Sequence, residues 1–375
     1  MLMRALVLLL ALAVPASAAT RLNVAIGADV NVVEVHKTVL GPGFKAQVPD
    51  VELNVVGTGT GEPASRAIYT KIRAQADAGR APWDIDVALV SMAVASQMVR
   101  EGLLLRYVPQ MKNAALVKGA EVKEAFGVNV DGYVVPMFQN QIAIAYNPAK
   151  VPAPPKTFDD LAKWVAANPG KFGYNGIKGG VSGVGFTMGW VYWKTGLYKQ
   201  LTQGPFDRSR EGAIREAITA LRDFNKNVLV TNGNAGTLDA LNRGEIAMGA
   251  VWIDQLVAWK NEGRMAASIT PVLPAPGLPI YPLYLVVPRE AASREAAVRY
   301  VDYIATPEVQ ARVIVERFGW YPGVDADRVL PLISAKSREL LFKGVSADDL
   351  ARYSRQMPIK EYHDLITLAY EEIVR

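Results

Sequence analysis

The sequence predicts an α/β fold built as two lobes, and three observations carry that prediction. The chain has 375 residues, more than the roughly 100–200 of an ordinary domain. Half of its residues are hydrophobic and 21% are charged, which supplies apolar surface for sizeable cores and argues against general disorder. Strand-patterned and helix-patterned segments alternate on both sides of Pro136–Pro148, which reads PMFQNQIAIAYNP. In that stretch Ile142, Ile144 and Tyr146 are spaced by alanines, the two-residue period of a strand over Gln141–Tyr146. Prolines, which cannot donate to a ladder, fence it. The stretch reads as a crossing between lobes, with the amides of Gln139 and Asn140 exposed at the step.

The first half gives strands at Arg21–Gly27, Val51–Val56 and Ile85–Val90, with helices at Glu62–Ala78 and Met92–Glu101. Short links between them suggest a parallel sheet with right-handed crossovers. Ligands of such sheets sit beyond the carboxyl ends of the strands. Asp29, Asn31, Thr58, Gly59, Thr60 and Ser91 fall there, in loops. Asp86 lies inside a strand and reads as structural.

In the second half, Thr157 and Asp160 form a capping-box pattern opening a helix over Thr157–Ala167. Gly176–Gly189 contains six glycines ahead of the apolar helical segment Phe186–Trp193. There Ser182 and Gly183 either offer backbone amides to an anion or form a tight turn with Ser182 as a cap. Trp190 and Trp193 share a helix face and read as core. Helices follow at Glu211–Asn225, Leu238–Arg243 and Gln255–Glu262, with a strand at Ile246–Val251 that leads to Trp252 and Asp254. Those two are candidate ligand contacts, or else a core lid and a helix cap. Pro271–Pro282 holds five prolines before a strand at Leu283–Val287, an extended return crossing flanked by Tyr281 and Tyr284, which pack on a solute or on the hinge. Helices at Ala291–Ile304 and Glu308–Arg317, Gly319-Trp320-Tyr321-Pro322 and a helical tail over Ala347–Arg375 complete the chain.

Composition narrows the function. The charge of +5 is spread without a Lys/Arg run, so no nucleic acid is expected. With no cysteine and two histidines, His36 and His363, neither a metal site nor a cofactor is expected. Gly57-x-Gly59-x-Gly61 has Glu62 where a dinucleotide motif needs its third glycine, and Gly180-x-Ser182-x ends in Val184 rather than a nucleophile elbow's glycine. Asp159-Asp160 and Asp348-Asp349 read as helix-start charges. No nucleophile–base–orienter set is visible, so an enzyme is not expected; a secreted hydrolase is the remote alternative. At the N-terminus Arg4, the apolar run Ala5–Val14 and Ala16-Ser17-Ala18 have the form of a signal peptide cleaved after Ala18, too short for a spanning helix of about 20 residues.

Several short motifs occur in order: Asp86-Val87 through Ser91, then Glu101-Gly102-Leu103-Leu104 with Tyr107, Pro136 ahead of Tyr146-Asn147, and Thr157-Phe158-Asp159-Asp160-Leu161. Leu241 with Gly244-Glu245-Ile246-Ala247-Met248, and Thr306-Pro307-Glu308 with Gln310 and Pro322, complete the series. On these the chain resembles the solute-binding proteins of ABC importers, of the larger bilobal class with maltose-, polyamine-, thiamine- and ferric-iron-binding members. The resemblance implies a type II-like Venus-flytrap (periplasmic-binding-protein) fold. Residues 19–138 with 275–319 would form lobe one, and 140–274 with 321–375 lobe two, with hinges near 138–141, 274–282 and 319–323. It also implies a monomer in the periplasm that carries a small-molecule solute to an inner-membrane permease and its cytoplasmic ATPase. The absence of a Tyr-Tyr pair disfavours iron. The Gly/Ser helix start favours a small polar solute with an anionic group, with a polyamine or a sugar as alternatives.

Overall fold

A computed structural model describes residues 19–59, 61–178 and 180–374; the expected signal peptide and Thr60 lie outside the described residues. Two mixed sheets organise the chain. The first contains β1 (Thr20–Ile26), β2 (Val51–Gly57), β3 (Val87–Ser91) and β4 (Val135–Gln139). The second contains β5 (Ile142–Tyr146), β6 (Phe172–Tyr174), β7 (Val228–Val230), β8 (Met248–Trp252) and β9 (Thr270–Val272). Then come β10 (Leu278–Pro279), β11 (Leu283–Val286), β12 (Tyr321–Pro322) and β13 (Ser354–Arg355). The first sheet runs β12-β4-β11-β3-β1-β2 and the second β9-β5-β8-β6-β7, while β10 and β13 pair by themselves.

The first sheet is not purely parallel, as the alternation of elements had suggested. β1 is parallel to β2 and β3, but β11 lies antiparallel between β3 and β4, and β12 is antiparallel to β4. Pro136 stands inside β4 rather than fencing a strand. β12 pairs only with Phe138 and Gln139, so the missing donor of Pro136 falls beyond that ladder, and the β11 register shifts beside it. Tyr321–Pro322, expected to open the second lobe, therefore belongs to the first sheet.

Three other expectations are corrected. Asn31 is not in a loop: α1 (Val30–Val35) starts behind Asp29 and continues through a wider turn to Gln47. Its valines and the Gly41-Pro42-Gly43 run hide the helical period. The helix expected from Leu238 already starts at Gly233. The tail is broken at Ser354–Ile359, where β13 and Pro358 interrupt it before the final helix Lys360–Ile373. The Thr157/Asp160 capping box forms as read, with reciprocal bonds of 3.0 and 3.1 Å.

The chain passes between the sheets three times: at Asn140–Gln141, between β9 and β11, and between β12 and the last helix. Gln141, 1% exposed, ties the three together. Its Nε2 donates to Leu278 O at 3.0 Å, and its Oε1 accepts from Ser354 Oγ at 2.7 Å. The second lobe's core is aromatic, with Phe158, Phe172, Tyr174 and Phe186 fully buried beside Trp190. In the first, His36 is buried with Nδ1 2.7 Å from Tyr300 Oη, and desolvation lowers its pKa to about 3, leaving a neutral core histidine. Asp86 is structural as read, accepting from the amides of Asn23 and Ser293 at 2.8 and 2.7 Å.

Candidate functional site

The carboxyl ends of β1, β3 and β4 face that of β8 across a cavity of about 380 Å³. Parallel strands that end here hand over to helices whose first turns point inward, so backbone amides and helix-start side chains crowd the cavity. Asp29 precedes α1. Gly61 and Glu62 open α2 (Gly61–Asp77), and Ser91 caps α3 (Met92–Arg100), its Oγ accepting from Val94 N at 3.2 Å. Further on, α4 (Phe158–Ala167) leads to α5 (Val181–Thr195), whose first residue lines the cavity, while Asp254 lies in the first turn of α6 (Ile253–Asn261).

Of the residues expected at the site, Asp29, Asn31, Ser91, Asn140, Trp252, Asp254 and Tyr281 do line this cavity. The others do not. Thr58 is exposed and donates to Ala64 O at 2.9 Å, and Gly59 beside it is also outside the cavity. Gln139 turns away from its neighbour, as successive strand residues do, and its Nε2 donates to Glu121 Oε1 at 2.5 Å. Ser182 is buried and donates to Asn175 Oδ1 at 2.9 Å. It is not the cap of α5, because the cap lies two residues earlier, at Gly180. Gly183 is pressed on Gly176 O, and Tyr284 is buried with its hydroxyl donating to Glu121 O at 2.6 Å.

The sequence reading missed Glu62, Ser65, Phe138, Val181, Gln255, Trp259, Glu262, Arg264 and Trp320. Glu62 carried a usable signal, an acid opening a helix directly after a glycine-rich strand end. Trp320 reaches the cavity from a remote segment, stacked on Phe318 at 4.4 Å and packed on Phe138 at 4.2 Å between ring centroids.

The cavity is acidic and aromatic. Asp29, Glu62, Asp254 and Glu262 border it against one guanidinium, Arg264. That charge is engaged at the rim, 3.1 Å from Glu262 and 4.0 Å above the Trp259 ring. Glu62 has a distant Arg66 at 3.7 Å and the Tyr281 hydroxyl at 3.5 Å. Its Oε1 has no hydrogen-bond partner among the described residues. Burial, and then the Glu62 charge, push the Tyr281 phenol well up, so it stays protonated as a donor. Asp254 is raised to about 6 mainly by desolvation, with the Asp29 charge adding to it, although Gln255 N donates to Oδ1 at 2.6 Å and Asn140 also stabilises the anion. Trp252 and Tyr281 form one wall, their centroids 6.4 Å apart. The arrangement suits reversible binding of a polar solute between faces from both sheets.

Comparison with known proteins agrees. The family model described as bacterial extracellular solute-binding protein matches residues 43–324. The fold is shared with a spermidine/putrescine ABC transporter substrate-binding protein of Streptococcus pneumoniae (14% identity, TM-score 0.67, covering 95% of this chain and 100% of that one). It is also shared with a putative extracellular solute-binding protein of Bordetella parapertussis (15%, 0.70, 95% and 99%). A third is an ABC transporter solute-binding protein of Thermotoga lettingae bound to α-D-tagatose (14%, 0.70, 95% and 95%). No curated protein matches the sequence. These structures show the two-lobed binding-protein fold, and the family match over three quarters of the chain settles membership: the protein belongs to the bacterial extracellular solute-binding proteins.

Proposed function

We propose that this protein is the solute-capturing component of an ABC importer, and that it holds a small organic cation between its lobes. In this reading a signal peptide exports it to the periplasm, where the closed form docks on the permease and its ATPase. Lobe one comprises residues 19–138, 275–319 and the β12 pair, and lobe two comprises 140–274 and the final helix. The role is capture rather than turnover.

One observation carries the choice of a cation. Asp29 and Asp254 line the same cavity from opposite lobes with no cation paired to either among the described residues, and the Asp29 charge adds to the burial that raises Asp254. Both occupy helix starts, where an anion is ordinarily at ease, yet burial still lifts Asp254. Closing the empty cleft brings like charges together, whereas closing it around an ammonium turns the same approach into attraction. A ligand shifts an open–closed equilibrium only by its differential affinity for the two states, and this pair supplies such a differential. Trp252, Tyr281 and Trp320 offer ring faces for a cation.

A thermal-shift and calorimetric screen of the purified protein against alkylamines, organic acids and sugars tests this. Stabilisation by amines, weakened about tenfold or more by Asp29→Asn or Asp254→Asn, is expected, since losing a charge-assisted contact costs about 1.5–3 kcal/mol. Stabilisation by sugars or acids alone would refute it.

A further inference from the structure

One helix start in the cleft is not accounted for by a cation. The starts of α1, α2, α3 and α6 each carry an oxygen-bearing side chain, in Asp29, Glu62, Ser91 and Asp254. α5, fifteen residues long, begins at Gly180 (φ 136°) with no side-chain cap, and its first residue, Val181, lines the cavity. The positive end of its dipole thus faces the cleft without a protein anion.

A second observation falls at the same point. Asn175 is 2% exposed, and its Oδ1 is taken by the Ser182 hydroxyl. Its Nδ2 lies 3.2 Å from where a Cβ on Gly180 would stand, and it has no acceptor among the described residues. A buried donor without a partner is unfavourable, and an oxyanion seated at the start of α5 is an acceptor for it. Any side chain at position 180 would crowd this amide as well as strain the backbone. Lys178 borders a cavity behind Asn175, where Arg222 and Lys226 are paired with Asp223 at 3.4 and 2.9 Å and Glu371 is also present, so the anion's seat rests on the helix start and the Asn175 amide.

We propose that the start of α5 binds an anionic group on the same solute whose ammonium lies between Asp29 and Asp254. The solute is then a short zwitterion, an amine joined to a carboxylate or phosphonate, rather than a diamine. This rests on the cationic reading above.

Isothermal titration with pentylamine, 5-aminopentanoate, 3-aminopropylphosphonate and 1,5-diaminopentane tests it, using the wild type and Val181→Asp, which places a carboxylate at the helix start. The wild type should prefer one of the two zwitterions to pentylamine and to the diamine by about tenfold, and the better of the two identifies the anion. In Val181→Asp that preference ratio should fall towards one. Pentylamine binding as tightly as both zwitterions, or the diamine binding tighter, overturns the zwitterion and leaves the cation standing. Binding of no amine removes both. Retention of the zwitterion preference in a folded Val181→Asp protein excludes the α5 start as the anion's seat. Should that variant fail to fold, the wild-type ranking of the four ligands decides.

Discussion

Ser354 Oγ donates to Gln141 Oε1 at 2.7 Å, joining the third crossing between the lobes to the first. The same carboxamide donates to Leu278 O on the second crossing and to Ile142 O at 2.8 Å. Gln141→Leu fills the volume but leaves a buried carbonyl and a hydroxyl without partners. Each such group costs about 1–3 kcal/mol. Denaturant unfolding should show a loss of about 2–6 kcal/mol from these groups combined. A loss below 1 kcal/mol would mean the three crossings do not depend on this contact.

Asp254 gives the cleft a pH dependence. Its carboxyl is raised to about 6 in the folded protein, above the ordinary carboxylate range, so between about pH 4 and 6 the folded state holds more protons than the unfolded one. Ligand-free stability therefore declines as pH rises across that window and the group contributes no further change above it. A cation favours the ionised form, so amine affinity should increase with pH up to about 6 and then level off. Titrations at pH 5.0 and 7.5, with proton release read in buffers of different ionisation enthalpy, measure this. In Asp254→Asn the proton release should vanish.

Gly319 marks where the lobes meet. It has φ 69°, and a Cβ there would stand 2.3 Å from Val257 Cγ1 on α6. Gly319→Val meets both the left-handed backbone cost of about 1–2 kcal/mol and, in this arrangement of the lobes, the clash with Val257. Ligand affinity should fall further than ligand-free stability does. Small-angle scattering with saturating ligand should show less compaction than in the wild type. Equal losses in affinity and stability would place the effect in the backbone alone.

The aromatic core of lobe two can be probed independently of the cleft. Phe186 is fully buried, 4.7 Å from Tyr174 and 5.5 Å from Phe172 between ring centroids. Phe186→Ala should cost about 3–5 kcal/mol, read from chemical unfolding, while the solute dissociation constant of the folded fraction stays within about threefold of wild type.

The fold class was legible because both halves alternate strand and helix, and the end of a parallel strand is a local property. Asp29, Ser91, Trp252 and Asp254 could be placed for that reason. What lay beyond reading depends on distant partners. β11 enters between β3 and β4 although nearly 200 residues separate it from β3. Trp320 reaches the cavity only through that assembly. Other misses were matters of phase. Gln139 and Asn140 are adjacent, but only Asn140 faces the cleft, and a helix cap two residues earlier than read, at Gly180 rather than Ser182, turned Ser182 inward and brought Val181 to the cavity. A glycine-rich run specifies such a start poorly, since glycine accepts most backbone conformations.

The position of β11 also sets an order of assembly. It fills the middle of the first sheet from residues 283–286, so β1 to β4 cannot close into that sheet until most of the chain has been delivered. Until then β3 and β4 have no neighbour to hold them together, and their pairing with β11 depends on contacts far apart in sequence, the kind that form slowly. A chain emerging N-terminus first keeps this lobe unfinished almost until its last quarter arrives.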